Sequence, residues 1–381
     1  MSRAVTALLS LTLGISLGRF LRRLLSRKPA EDPVPASGRL IAAWRALESL
    51  EPPSQRLFLD PLASALAGPA AIHEALSLAV PWPQNSSSDS DGGEAANGGA
   101  AAKEASGGAY RAERRRFCYS NVGTRVWWFD RQLLAALASP AAPRQVVLLG
   151  AGMDSRPWRM PLLPGVRWLE VDVPGVVAAK RRRLDQLGAA LEASPAGPDA
   201  ALPAAAAHPL RAASWAALSA DLARPGWSAA LGAAGLDPRQ PTVWVAEGLL
   251  MYLDEGQVAA LLQEAAAASP PGSAFIAHHC TRELIALVRG GAGAAAYAPF
   301  PPELVSTWRS GFPPADEAEA IAAELRSAGG WQLQRVTSRA RIAAEICGSG
   351  SSAGEVAACC DFEARPDAGR DRWTVFVSAT K

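Results

Sequence analysis

The stretch Val146-Val147-Leu148-Leu149-Gly150-Ala151-Gly152-Met153-Asp154-Ser155-Arg156 constrains the fold more than any other part of the chain. Four apolar residues, two of them β-branched, stop at Gly-Ala-Gly. This is the pattern of a buried parallel strand running into a tight loop where a ligand can approach the backbone. Further on, Trp168-Leu169-Glu170-Val171-Asp172 reads as a second strand ending in acid. A glycine loop after one strand and a carboxylate at the tip of the next is how an α/β sheet holds a ribose-bearing cofactor.

The same loop narrows the choice of cofactor. A dinucleotide fingerprint needs Gly-x-Gly-x-x-Gly, and here the third position is Ser155. Asp154 adds a carboxylate where a pyrophosphate would be repelled. A cofactor with a ribose and no phosphate fits better, and S-adenosylmethionine is the commonest of these. A nicotinamide dehydrogenase is the disfavoured rival. A protein that binds the cofactor without turnover is the alternative from a different class.

Around this loop the chain alternates strands and helices. Strands are expected at 145–149, 166–171, 208–213, 242–246, 273–278, 331–336 and 373–378, with helices near 174–191, 255–268 and 316–328. Alternation of this kind gives a mostly parallel sheet covered on both faces. The expected fold is therefore a doubly wound, Rossmann-like α/β sheet of seven strands, the last antiparallel. Apolar spacing over residues 39–82, and from Tyr110 to Leu137, predicts an N-terminal helical cap. A Ser/Gly/Asp/Asn/Ala tract at 84–109 has no periodicity and reads as a solvated, disordered insertion. The folded α/β domain would run over 39–381, with its cap at 39–137.

Residues 1–30 read separately, as a targeting or anchor segment. Six of the 38 basic residues and no acid fall within residues 1–28, so the rest of the chain carries a small excess of acid. An acidic body argues against a nucleic-acid partner. An Arg-rich, acid-free N-terminus suggests a chloroplast or mitochondrial address, with a membrane anchor or secretory signal as rivals. Membrane contact would come only through residues 1–28, if they are uncleaved. The five cysteines show no C-x-x-C spacing. His278-His279-Cys280 is not expected to bind metal, because neighbours on a strand point to opposite faces.

Several residues could carry binding. Asp172 could accept from both ribose hydroxyls, or could cap a helix starting at Pro174. Glu170 points to the same side as Asp172, which favours the ribose role. Asp221 could accept from an adenine amino group, with the next backbone N–H donating to the ring; as residue types alone, Ser219 to Leu222 read equally well as a turn. Glu247 ends the strand Val243-Trp244-Val245-Ala246 and would face the crevice, where it could pair with a sulfonium or an amine, or cap a helix. Arg125 could clamp a carboxylate, with Asp130 expected as its structural partner.

Taken in order, six motifs resemble the leucine carboxyl methyltransferase superfamily, and its bacterial-type S-adenosylmethionine-dependent members most of all. They are Arg-Leu-Phe-x-Asp-Pro-Leu-Ala (Arg56 to Ala63), Thr124-Arg125 with Asp130, Leu-Gly-Ala-Gly-Met-Asp-Ser-Arg, Glu170-Val171-Asp172 with Pro174, Asp221-Leu222, and Ala-Glu-Gly-Leu-Leu-Met-Tyr-Leu ending at Leu253. The resemblance implies S-adenosylmethionine as cofactor and an unidentified methyl acceptor, small molecule or protein. It implies that Arg125 holds the methionine carboxylate and that Gly150 lines the methionine and ribose. Asp172 would bind the ribose, Asp221 and Leu222 the adenine, and Glu247 the amino end. Arg45 would be a further basic contact, and Tyr252 would lie near the acceptor. Members directed at a phosphatase carry Arg after Asp-Leu. Here that position is Ala223, with Arg224 one step on, which speaks against a protein carboxylate. A carboxylate acceptor needs no general base, and no obvious base stands out in the sequence, so O-methyl transfer to a carboxyl group is the expected reaction.

Overall fold

The computed structural model describes residues 32–54, 56–78, 121–138, 142–192, 207–290, 300–348 and 373–381. The expected N-terminal address, the 84–109 insertion and the helix start at Tyr110 lie outside these residues. Among the described residues no helix is long and apolar enough to cross a membrane.

Among the described residues four helices precede the sheet: α1 (Pro33–Ser49), α2 (Ala63–Ala67), α3 (Pro69–Ser77) and α4, which runs through 121–137. The helix α1 begins six residues earlier than its apolar spacing suggests. Asp32 caps it by accepting from the Val34 N–H, and Pro33 occupies the first turn. Proline there costs no hydrogen bond, because the first-turn amides have no intrahelical partner.

The sheet then assembles from β1 (Gln145–Leu149), β2 (Arg167–Asp172), β3 (Ser214–Ser219), β4 (Thr242–Ala246), β5 (Ala274–Cys280), β6 (Gln332–Ser338) and β7 (Thr374–Thr380). Their order is β3-β2-β1-β4-β5-β7-β6. Strands β1 to β5 pair in parallel, and β7 runs antiparallel to both β5 and β6. The helices between them are α5 (Arg156–Arg159), α6 (Pro174–Gln186), α7 (Glu255–Ala267), α8 (Arg282–Arg289), α9 (Pro302–Val305), α10 (Ala318–Ser327) and α11 (Arg339–Gly348).

Alternation along each strand divides the core in two. Val146, Leu148, Trp168, Val245 and Phe376 pack under the N-terminal helices, against Trp44, Trp128 and Phe129. Val147, Leu149, Val171, Trp244 and Phe275 face the other way, onto Leu261, Leu262, Leu325 and Trp331. Both faces of β1 are thus buried, which is why its sequence is continuously apolar.

One strand sits elsewhere than expected. The third strand is Ser214–Ser219 and not 208–213. Its centre, Ala216-Ala217, has little strand propensity. It is an edge strand held by pairing with β2, with Trp215 opposite Trp168. Tertiary pairing overrides the weak local signal. The sequence does not predict the helices α5, α8, α9 and α11.

Candidate functional site

Chain order reverses between β1 and β4, because β2 and β3 lie on one side and β5 on the other. A crevice must open at that point, at the carboxyl ends of the strands. A cavity of about 510 Å3 lies there, and Arg45, Arg125, Gly150, Asp172, Asp221, Leu222, Glu247 and Tyr252 all line it. The residues singled out from sequence therefore converge on one site.

The loop after β1 is shaped by its glycines. Gly150 has φ +67° and Gly152 φ +52°, a region that costs an L-residue about 1–2 kcal/mol. A Cβ on Gly150 would lie 2.9 Å from Leu249 Cδ1. On the far side, Gly38 of α1 packs so tightly that a Cβ there would come within 3.3 Å of Gly152 Cα. The helical cap thus rests directly on the loop. Gly150→Ala should lower stability by about 1–2 kcal/mol through backbone strain and weaken cofactor binding, read by thermal unfolding and calorimetry. An unchanged melting temperature and affinity would show that the loop does not need glycine there.

Asp172, the last residue of β2, has its carboxylate fixed by the backbone. Its Oδ2 accepts from the Gly152 N–H at 2.7 Å and its Oδ1 from the Val173 N–H at 2.7 Å. Burial pushes its carboxyl up, opposed by these two amides. The helix-cap alternative does not hold, since Val173 is the cap residue of α6. Glu170 does not join it at the ligand. It is buried and accepts from Lys180 at 2.6 Å, whose ammonium lies over the Trp158 and Trp215 rings.

Glu247 and Arg125 meet each other. Arg125 Nε donates to Glu247 Oε1 at 2.8 Å, and Arg156 Nη2 donates to Glu247 Oε2 at 2.7 Å. Burial pushes the Glu247 carboxyl up, but the two guanidiniums outweigh it and hold the group at about 2. The expected Arg125–Asp130 pair is absent: Asp130 instead accepts from Arg156 and from both terminal nitrogens of Arg159. Arg125 is buried at 8% exposure, so it is no solvated surface charge.

Arg156 is the residue that sequence reasoning missed. It is 2% exposed and bonds to Asp130, Asp154 and Glu247 at once. Asp154 also accepts from the Arg156 amide. The carboxylate expected to repel phosphate is therefore neutralised by its neighbour. Ser155 donates to Asp60, which also pairs with Arg45 at 2.9 Å, and Arg45 in turn donates to the Met153 carbonyl. Asp154-x-Arg156 was visible in the sequence, but the partners from α4 and β4 were not.

Asp221 stands at the rim, with its side chain 50% exposed. Its carboxylate accepts from the Ala223 N–H and faces Arg224 at 3.3 Å. Leu222 beside it is buried. Tyr252, on a 3₁₀ turn (Leu250–Tyr252), has its hydroxyl pushed up by burial, opposed by hydrogen bonds with Ser37 and Trp308. His278 and Cys280 also face the cavity. His279 turns to the opposite face, where its ring meets Phe312 and Ser310. Among the described residues no cluster of His, Cys, Asp or Glu could hold a metal ion.

A doubly wound sheet in this strand order, with a glycine cradle at one strand end and an amide-held aspartate at the next, is the architecture of a class I methyltransferase. The cradle and the charged pairs fit a phosphate-free, ribose-bearing cofactor. The family model for leucine carboxyl methyltransferase matches residues 39–266. The chain belongs to that family, and it is an S-adenosylmethionine-dependent methyltransferase.

Three bacterial relatives carry the name "putative S-adenosyl-L-methionine-dependent methyltransferase". The one from Streptomyces avermitilis is 34% identical over 80% of this chain and 85% of its own. The one from Frankia alni is 35% identical over 62% of this chain and 71% of its own. The match to the Mycolicibacterium gilvum protein is 39% identical but spans only 42% of this chain and 45% of that relative. A solved DUF574 family protein from Streptomyces avermitilis superposes with a TM-score of 0.44 at 16% identity, covering 73% of this chain and 90% of its own.

Proposed function

We propose that the enzyme methylates a carboxylate oxygen of its acceptor. One observation supports this most: Tyr252, Cys280, His278 and the arginine-paired Glu247 and Asp154, which all line the cavity, are held in states that do not readily take up a proton. Burial raises Tyr252 and Cys280, so both keep their protons. Burial, then Arg125, His279 and Arg339, push His278 well below its ordinary range, so it stays neutral and weakly basic. Glu247 and Asp154 are tied to arginines. A hydroxyl acceptor would need a base; a carboxylate needs none.

S-adenosylmethionine supplies, when bound, a methyl group already activated on a sulfonium. The chain's own residues then bind, orient and exclude water. Asp172 accepts from the ribose hydroxyls with the lone pairs its amides leave over. The terminal nitrogens of Arg125 take the methionine carboxylate while Glu247 fixes its Nε. Glu247 keeps one acceptor site on each oxygen for the ammonium. Asp221 and Leu222 lie at the rim for adenine, and Tyr252 positions the acceptor. With the cofactor so held, an acceptor carboxylate would receive the methyl group as the carbon–sulfur bond gave its electron pair to sulfur, and the protein would need to move no proton.

Arg125→Ala leaves Glu247 paired with Arg156, so the fold should survive. It should weaken cofactor binding about 10- to 100-fold by calorimetry, the range for losing a charged hydrogen-bonded contact. Radiolabelled methyl transferred by the wild-type protein should be released as methanol in mild base. A base-stable product would overturn carboxyl transfer.

A further inference from the structure

The cavity extends past the cofactor residues to the edge where β5 meets β7. The antiparallel register sets His278 opposite Phe376 and Cys280 opposite Thr374. Period-two alternation puts all four on one face, and all four line the cavity. His278 is 5% and Thr374 3% exposed, yet His278 Nδ1 and Thr374 Oγ1 have no hydrogen-bond partner. Buried polar atoms are rarely left unpaired, and two on adjacent strands facing one cavity point to a missing ligand.

We propose that this end of the cavity is the acceptor subsite, and that it takes a small aromatic carboxylic acid whose carboxylate bonds to His278 Nδ1 and Thr374 Oγ1. The proposal rests on the carboxyl-transfer reading above and names its substrate class. Aromatic rings wall the subsite. Phe300 stands edge-on to Trp308, with centroids 5.9 Å apart, and His278 lies against Phe376 at 4.8 Å. Such rings favour a flat apolar body with one polar end. Arg339 lines the same cavity, so its charge favours an anionic end. A neutral imidazole donates through one nitrogen without taking a proton, and the threonine hydroxyl donates as well. The 510 Å3 must hold the cofactor too, which keeps the acceptor small.

The test uses the full-length protein saturated with S-adenosylhomocysteine and titrated calorimetrically with benzoate, cinnamate and naphthoate, each beside its alcohol analogue. At least one acid should bind, and its alcohol at least about tenfold more weakly. His278→Phe and the near-isosteric Thr374→Val should each weaken acid binding about 10- to 100-fold and leave S-adenosylhomocysteine affinity unchanged. In turnover the acceptor KM should rise more than kcat falls. The proposal is overturned if no acid binds at millimolar concentration, or if either variant binds the acids as the wild type does. It is also overturned if a peptide C-terminus is methylated while the three acids are not. A base-stable product defeats the carboxyl reading itself, whereas undiminished acid binding in the variants defeats only the subsite.

Discussion

Asp172→Ala will reduce S-adenosylmethionine affinity by at least about 100-fold, the largest binding effect of any single substitution in the site. The carboxylate can make two hydrogen bonds to ribose hydroxyls, and bonds to a charged group contribute about 1.5–3 kcal/mol each. Their joint loss amounts to a factor of about 100 or more. The effect is sharpened by preorganisation. The Gly152 and Val173 amides already fix the carboxylate, so little rotamer freedom is lost on binding. Asp221→Ala should cost about tenfold or less, because that side chain is half exposed and already shared with Arg224 and the Ala223 amide. Calorimetric titration of both variants checks the contrast. Equal losses at the two positions, or near-normal affinity in Asp172→Ala, would show that ribose recognition lies elsewhere.

Arg156→Met will destabilise the fold by about 3–5 kcal/mol, the cost of leaving buried charge without its partner. Asp130, Asp154 and Glu247 would lose their shared cation together, although Arg159 and Arg125 still contact the first and third. The sign of the pH dependence follows from Glu247. Its carboxyl is depressed from 4.5 to about 2 in the folded protein. A depressed acid contributes stability that is fully present above its unfolded value and is lost as pH falls through the folded one. The wild type holds this contribution above about pH 4.5 and loses it towards pH 2. In the variant the acids titrate at higher pH and become neutral sooner. The stability gap between the two proteins should therefore be widest near pH 7 and narrow as pH falls below 5. Urea unfolding at pH 7, 5 and 4 measures it. A gap under about 1 kcal/mol at pH 7, or one that widens in acid, would remove Arg156 from its place as the hub.

Much of the binding end of the site was legible because it lies in contiguous sequence. Gly150 and Gly152 follow an apolar strand, and Asp172 ends the next one. In a parallel sheet the carboxyl end of each strand points to the same edge, so these residues share a crevice whatever the rest of the chain does. Glu247 follows the same rule at the end of β4, whereas Asp221 follows β3, whose place the sequence did not show. The alternation of His278 and His279 was also readable from strand period alone, and the two rings do face opposite ways.

Pairing between distant charges was not legible. Arg125 was expected to face Asp130, five positions away on the same helix, but it pairs with Glu247, 122 positions on. Helical spacing explains the error. Residues three or four apart share a helix face and residues five apart do not, so Asp130 turns to Arg156 and Arg159 instead. Glu170 was grouped with Asp172 because side chains two apart share a face of a strand. Depth separates them: Glu170 is 1% exposed and needs Lys180, while Asp172 sits at the strand tip within reach of ligand.

The sequence by itself determined the ends of β1, β2 and β4, the glycine cradle and the cofactor class, since these depend on local backbone conformation and on the period-two geometry of strands. Only the tertiary structure decided which charges neutralise which, that the cap helix rests on the loop through Gly38, and that His278 and Thr374 line one cavity from the adjacent strands β5 and β7. Those contacts arise from elements far apart in the chain. Burial strengthens a charge pair and makes an unmatched polar atom costly, and no local pattern encodes burial between distant segments.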